Sequence, residues 1–194
     1  MEEYPSSLVS QVVQDGVILT SRAGCSLREF LTEECRIPPE YIDTRISTIF
    51  LDGSPIDDID SALIRDGSIV ALSAAMPGLV GATMRRGGFY SSFRSSITHA
   101  ESGESWRAGM VPVRLKLFNL IMDELGPGFL KRGVLVKCRD LARALARQPD
   151  DFWEKCRNLT VNGERIECQR LRRDHALFSG EMALLTIAVT GAAS

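Results

Sequence analysis

The chain repeats itself. Residues 39–56 read PEYIDTRISTIFLDGSPI and residues 149–166 read PDDFWEKCRNLTVNGERI. A constant offset of 110 sets Pro39 on Pro149, Ile49 on Leu159, Leu51 on Val161, Gly53 on Gly163 and Ile56 on Ile166. Further on, ALIRDGSIVALSAA (62–75) matches ALFSGEMALLTIAV (176–189), with Gly67 on Gly180 at an offset of 113. Solenoids repeat every ~20–50 residues, so a period this long means one fold present twice. In 194 residues that leaves two small domains, each burying only ~60–65% of its unfolded surface. The expected boundaries are 6–78 for the first domain, 79–110 for a Gly/Ser-rich linker, and 111–192 for the second domain.

Each copy reads as hairpin, helix, strand, turn, strand. Residues 8–20 hold two β-rich runs around Asp15-Gly16, which predicts a hairpin because Gly accepts the positive φ of such turns. Ser26-Leu27-Arg28-Glu29 is a capping box. It starts a helix with Leu27, Phe30 and Leu31 on one face, and Pro38-Pro39 ends it. Residues 46–51 predict a strand turning at Asp52-Gly53, and residues 68–74 a closing strand after Asp66-Gly67. In the second copy, residues 113–120 alternate as a half-buried strand and Gly126-Pro127-Gly128 predicts a loop. A returning strand begins at 133–136, a helix spans 139–147, and a strand at 158–161 turns at Asn162-Gly163 before the closing strand at 182–189. The closing strands are nearly all apolar, which places them centrally, and the helix crosses the free face. The expected fold class is α+β: two tandem β-grasp, or ubiquitin-like, domains, each a mixed sheet crossed by one helix.

The motif of a strand ending in Asp/Asn-Gly, a polar loop, a further Gly turn, a hydrophobic strand and a Gly-containing tail resembles the sulfur-carrier proteins of thiamine and molybdopterin synthesis. Copy one carries it as Leu51-Asp52-Gly53, Leu63…Asp66-Gly67 and Pro77-Gly78; copy two as Val161-Asn162-Gly163, Leu177…Gly180 and Gly191. The resemblance implies a C-terminal Gly-Gly that is adenylated and converted to a thiocarboxylate. This chain departs there, ending Thr190-Gly191-Ala192-Ala193-Ser194. Arg85-Arg86-Gly87-Gly88 resembles a basic-then-Gly-Gly tail, and would become one only after cleavage following Gly88. Fold alone does not transmit function.

Composition narrows the chemistry. Five cysteines include no CxxC pair, and only two histidines occur, His99 and His175; this predicts free, partly buried thiols in a reducing compartment and no metal or cofactor. Cys25 and Cys138 fall at corresponding helix starts, where a small, partly apolar side chain packs between strand and helix. Asp57, Asp58 and Asp60 lack EF-hand spacing and read as a solvated acidic turn. No nucleophile–base–orienter set is visible, so no enzymatic activity is expected. The acidic N-terminus and the lack of a ~20-residue apolar run predict a cytoplasmic chain with no membrane partner. Residues 1–78 carry 13 acidic and 5 basic side chains, and residues 111–194 carry 14 basic and 10 acidic. That asymmetry predicts salt-sensitive attraction between the domains. The basic residues do not cluster with aromatics, so nucleic acid is not expected.

Residues 76–93 hold more apolar side chains than a spacer needs. Large apolar patches mark interaction sites, so Met84, Arg85, Arg86, Gly87, Gly88, Phe89, Tyr90 and Phe93 are the candidate contact residues. The Arg forks supply directional pairing with carboxylates. The functional expectation is a non-enzymatic adaptor or scaffold that binds another protein or itself; the alternative is a sulfur-carrier or ubiquitin-like modifier precursor cut after Gly88.

Overall fold

The structure is a computed structural model and describes residues 6–74, 78–88, 109–156, 158–173 and 180–187. The chain opens with α1 (Ser6–Asp15), β1 (Val17–Arg22), α2 (Leu27–Glu29) and a π-helical turn (Phe30–Glu34). It continues through α3 (Pro39–Thr44), β2 (Thr48–Leu51), β3 (Ser54–Pro55), β4 (Ile69–Ser73) and α4 (Gly78–Met84). Then come β5 (Met110–Phe118), α5 (Asn119–Arg132), β6 (Val134–Lys137), α6 (Cys138–Ala146) and α7 (Asp150–Lys155). The described chain closes with β7 (Asn158–Val161), β8 (Glu164–Glu167), α8 (Cys168–Arg173) and β9 (Met182–Thr186). The fold class is α+β.

Two compact units form, nested in sequence: an inner one, Ile18–Ile121, and an outer one, Met1–Val17 with Met122–Ser194. This partition differs from the 6–78 and 111–192 division suggested by the repeat. The inner strands lie in the order β3-β2-β4-β5-β1. β2 pairs antiparallel with β3 and β4, whereas β4 and β5 run parallel, with Val70 opposite Leu115 and Leu72 opposite Leu117. Strand β5, expected to open the second domain, is thus a central strand of the inner unit. The capping box forms as predicted: Ser26 Oγ accepts from Glu29 N at 3.2 Å, and Glu29 Oε2 accepts from Ser26 N at 2.7 Å. The Ser26 N–H first, and then the Ser26 side chain, hold the Glu29 carboxyl below its ordinary pKa. Behind the cap, Leu27, Phe30 and Leu31 are fully buried with Ile42, Ile64, Leu72 and Leu115.

In the outer unit the strand order is β6-β9-β7-β8, antiparallel throughout. Its core includes Leu8, Val9, Val12 and Val13 of α1. Residues 8–13 were expected in a hairpin, and the structure corrects this. Their spacing also makes a continuous helical stripe, and burial of all four side chains overrides the strand preference of Val. Gly16 (φ +112°) ends α1, its N–H bonding Val12 O at 3.0 Å, and so acts as a helix stop rather than a hairpin turn. Gly126-Pro127-Gly128, expected to loop, lies inside α5. At Gly126 a Cβ would stand 3.0 Å from Val9 Cγ1, so the glycine lets two helices approach closely.

The internal repeat survives element by element. Offset 110 carries β2 onto β7 and brings α3 within one residue of α7. The turns match in conformation: Asp52 (φ +52°) and Gly53 (+84°) against Asn162 (+53°) and Gly163 (+83°), a type I′ pattern in both. The offset of 113 for the closing strands is corrected to 115, because Val70 faces Leu51 and Leu185 faces Val161. A slip of two residues keeps every side chain on its own face, so alternation alone cannot detect it. Gly67 (φ +75°) therefore has no counterpart in Gly180, which is not left-handed.

The charge asymmetry also dissolves. The inner unit carries 11 basic and 12 acidic side chains, the outer 12 and 13, so each is −1. The expected pairing of an acidic with a basic domain loses its basis, since Arg114 and Lys116 of β5 belong with the inner unit and Glu2, Glu3 and Asp15 with the outer one.

Candidate contact site

The described part of the candidate segment, residues 84–88, lies down on the inner unit. Gly88 N closes a turn onto Arg85 O at 3.2 Å, and Arg86 N donates to Ser47 O at 2.8 Å. The Arg86 side chain is only 15% exposed. Its Nη2 donates to Ile42 O at 3.0 Å and lies 3.4 Å from Asp43 Oδ1. One residue on, Gly87 N donates to Asp57 Oδ1 at 3.0 Å. Met84 is half-buried and Arg85 exposed. Phe89, Tyr90 and Phe93 lie outside the described residues, as do His99, Trp106 and His175.

Asp43 is shared, because Arg28 Nη1 stands 3.6 Å from the same Oδ1. Arg28 in turn forks onto Asp60, Nε to Oδ1 at 2.6 Å and Nη2 to Oδ2 at 3.1 Å. That fork, foremost among the carboxylates near it, raises the Arg28 pKa. The Asp58 carboxyl is held below its ordinary pKa, first by the Asp60 N–H and then by Ser61. The acidic turn is thus organised rather than merely solvated. Asp57 receives Gly87, Asp58 closes its own loop, and Asp60 holds Arg28. The sequence showed an Arg pair and a carboxylate run but not the 30-residue connection from Gly87 to Asp57, which only the tertiary fold supplies.

The cysteines need one correction. Cys156 and Cys168 form a disulfide, where free thiols were expected. Cys25, Cys35 and Cys138 take no part in a disulfide and are buried. Cys25 lies 3.2 Å from Ser21 Oγ, and burial pushes its thiol pKa up. It packs at the helix start, where burial disfavours the thiolate. In the outer unit, Arg143 Nη2 joins the buried Asp140 at 2.9 Å to Asp15 at 3.5 Å, tying α6 to the end of α1.

The open face of the outer sheet carries a feature the sequence did not single out. Leu135 on β6 and Leu184 on β9 stand directly opposite in register, 38% and 41% exposed. Met182 is half-buried two register pairs on, opposite Lys137 on the same face. The signal was present as alternation: Val134, Val136, Ala183 and Leu185 take the buried face, which turns the two leucines outward.

Among the described residues no group of three His, Cys, Asp or Glu side chains could hold a metal ion, and no helix is long and apolar enough to cross a membrane. Comparison with family models, curated proteins and solved structures returns no match for this chain.

Proposed function

We propose that the chain is a non-enzymatic protein-interaction module, an adaptor or scaffold built from two β-grasp-like units. The fold part of this reading is supported by the central, apolar closing strands. β4 lies between β2 and β5, and β9 between β7 and β6. It is supported too by the mixed pairing of the inner sheet and by a short helix, α3 or α7, leading each β2- or β7-type hairpin.

One observation carries the function: the exposed, register-paired Leu135 and Leu184. Two large apolar side chains side by side on a sheet face favour a surface that another protein covers. The anchored Arg86-Gly87 supports the candidate segment as a second contact element, since it fixes the point from which residues 89–93 depart. A carrier cut after Gly88 needs a free, unbranched tail. An Arg86 guanidinium tucked against Ile42 and Asp43 favours the interaction reading instead. The test is a Leu135→Glu/Leu184→Glu variant compared with the intact chain by light scattering and by cross-linked pulldown from native cells. The variant is expected to keep its melting temperature and lose the association. Retention of the oligomeric state and of every captured protein overturns the reading.

A further inference from the structure

The two copies solve the same hairpin problem, and only one uses a covalent bond. In the inner unit, β2 and β3 pair as Leu51↔Ser54 and Phe50↔Pro55; in the outer, β7 and β8 pair as Val161↔Glu164 and Thr160↔Arg165. These are the same residues at offset 110, with the same left-handed turn. The outer hairpin runs two pairs longer, to Asn158↔Glu167, and the Cys156–Cys168 disulfide closes its open end. At offset 110 the inner unit has the buried Ile46 and the exposed Asp58 in place of these cysteines. The fold therefore forms this hairpin without a disulfide.

What the bond does join is α7 to α8. Cys156 caps the end of α7, its N–H bonding Phe152 O at 2.8 Å, and Cys168 begins α8. The same two helices meet through weaker links. Gln169 Nε2 donates to Trp153 O at 3.0 Å, Arg172 lies over the Trp153 ring at 5.8 Å, and Arg172 pairs with the exposed Asp150. Surface ion pairs and exposed cation–π contacts are weak, because solvent and salt screen them. The covalent bond is the strong member of the set.

We propose that Cys156–Cys168 is a redox latch on the α7–α8 surface, opened by a thiol reductant while the β-sheet stays folded. Cys156 is partly exposed and Cys168 fully buried, so an incoming thiolate attacks Cys156 Sγ. A mixed disulfide forms there, and Cys168 leaves as a thiolate that takes up a proton. A second thiol of the reductant then displaces Cys156. Two electrons pass from the two reductant thiols, which leave as a disulfide, and the protein keeps two thiols. Once the latch opens, the Trp153, Gln169 and Arg172 contacts and the buried Phe152, Trp153 and Leu171 are what hold α7 and α8.

The experiment uses the intact oxidised chain in a glutathione buffer of cytosolic poise, without denaturant, followed by alkylation, peptide mapping and amide hydrogen exchange. The expected result is alkylation of Cys156 and Cys168, with Cys25, Cys35 and Cys138 unlabelled. Amides of 150–155 and 168–173 should exchange about tenfold faster or more, while β7 and β9 keep their protection. Cys156→Ser/Cys168→Ser should reproduce that exchange pattern without reductant, and reoxidation of the wild-type chain should reverse it. Three results overturn the proposal: a bond that survives the buffer, loss of protection in β7 and β9 along with the helices, or unchanged exchange in α7 and α8.

Discussion

Asp52 and Asn162 do the same work in the two units. Each sits left-handed at the first turn position, where only Gly, Asn and Asp go cheaply. Each carboxyl or amide oxygen accepts a backbone N–H from the closing strand: Ile69 N to Asp52 Oδ1 at 2.7 Å, and Leu184 N to Asn162 Oδ1 at 2.8 Å. The backbone answers in kind, Asp52 N bonding Ile69 O at 2.9 Å and Asn162 N bonding Leu184 O at 2.8 Å. One side chain therefore pays for its own left-handed turn by tying the hairpin to the central strand. Asp52→Ala and Asn162→Ala lose both the tolerated φ and the hydrogen bond, and each should lower stability by about 2 kcal/mol. Asp52→Asn and Asn162→Asp keep both and should cost under about 0.5 kcal/mol. Asp52→Gly, which relieves φ but loses the acceptor, should fall between. Urea melts of the five variants decide it, and equal losses for Asp52→Asn and Asp52→Ala would show that the side-chain bond contributes nothing. The Asp-Gly and Asn-Gly pairs were legible as turns. Their reach to the closing strand was not, because it depends on a register that alternation leaves open by two residues.

At the scale of elements, the most informative misreading concerns α1 and β5. Residues 8–13 are rich in Val, and strand propensity argued for a hairpin; the structure shows four apolar side chains at helical spacing buried on one face, with a glycine stop behind them. Burial decided for the helix, and burial is a tertiary fact. The capping box, the Asp/Asn-Gly hairpins and the amphipathic α6 were readable because their signals are local. Strand β5 was read as a strand opening the second domain, and the compact units place it in the inner one. Its alternation says that one face is buried and nothing about which sheet buries it. Its neighbours in the structure are β4 and β1, and Leu115 is fully buried opposite Val70. A proline there removes a ladder donor in a central strand. Leu115→Pro should therefore unfold the inner unit, with amide protection lost in β2 and β4 and kept in β6, β7 and β9. Loss confined to β6, β7 and β9 would return β5 to the second repeat.

For the whole molecule, the sequence repeat and the compact units propose different fragments, and the difference can be measured. The repeat nominates residues 6–78, carried by a fragment of residues 1–78. That piece ends before β5, so β4 would present Val70 and Leu72 without their parallel neighbours Leu115 and Leu117. It also keeps α1, whose Val9 and Val13 pack near Gly126 of a segment it lacks. An open central strand and an uncovered apolar helix together favour aggregation over folding. Residues 18–121 hold every strand of the inner sheet, the capped helix and a core from Leu27 to Leu117. With about equal numbers of acidic and basic side chains, neither unit needs the charge of the other to balance its own. Residues 18–121 should thus give a cooperative thermal transition and a dispersed amide spectrum, little changed between low and high salt. Residues 1–78 should give a broad, shallow transition and self-associate. The reverse outcome, a cooperative 1–78 and a molten 18–121, would mean that β5 belongs to the second copy and that each repeat folds within its own stretch of sequence.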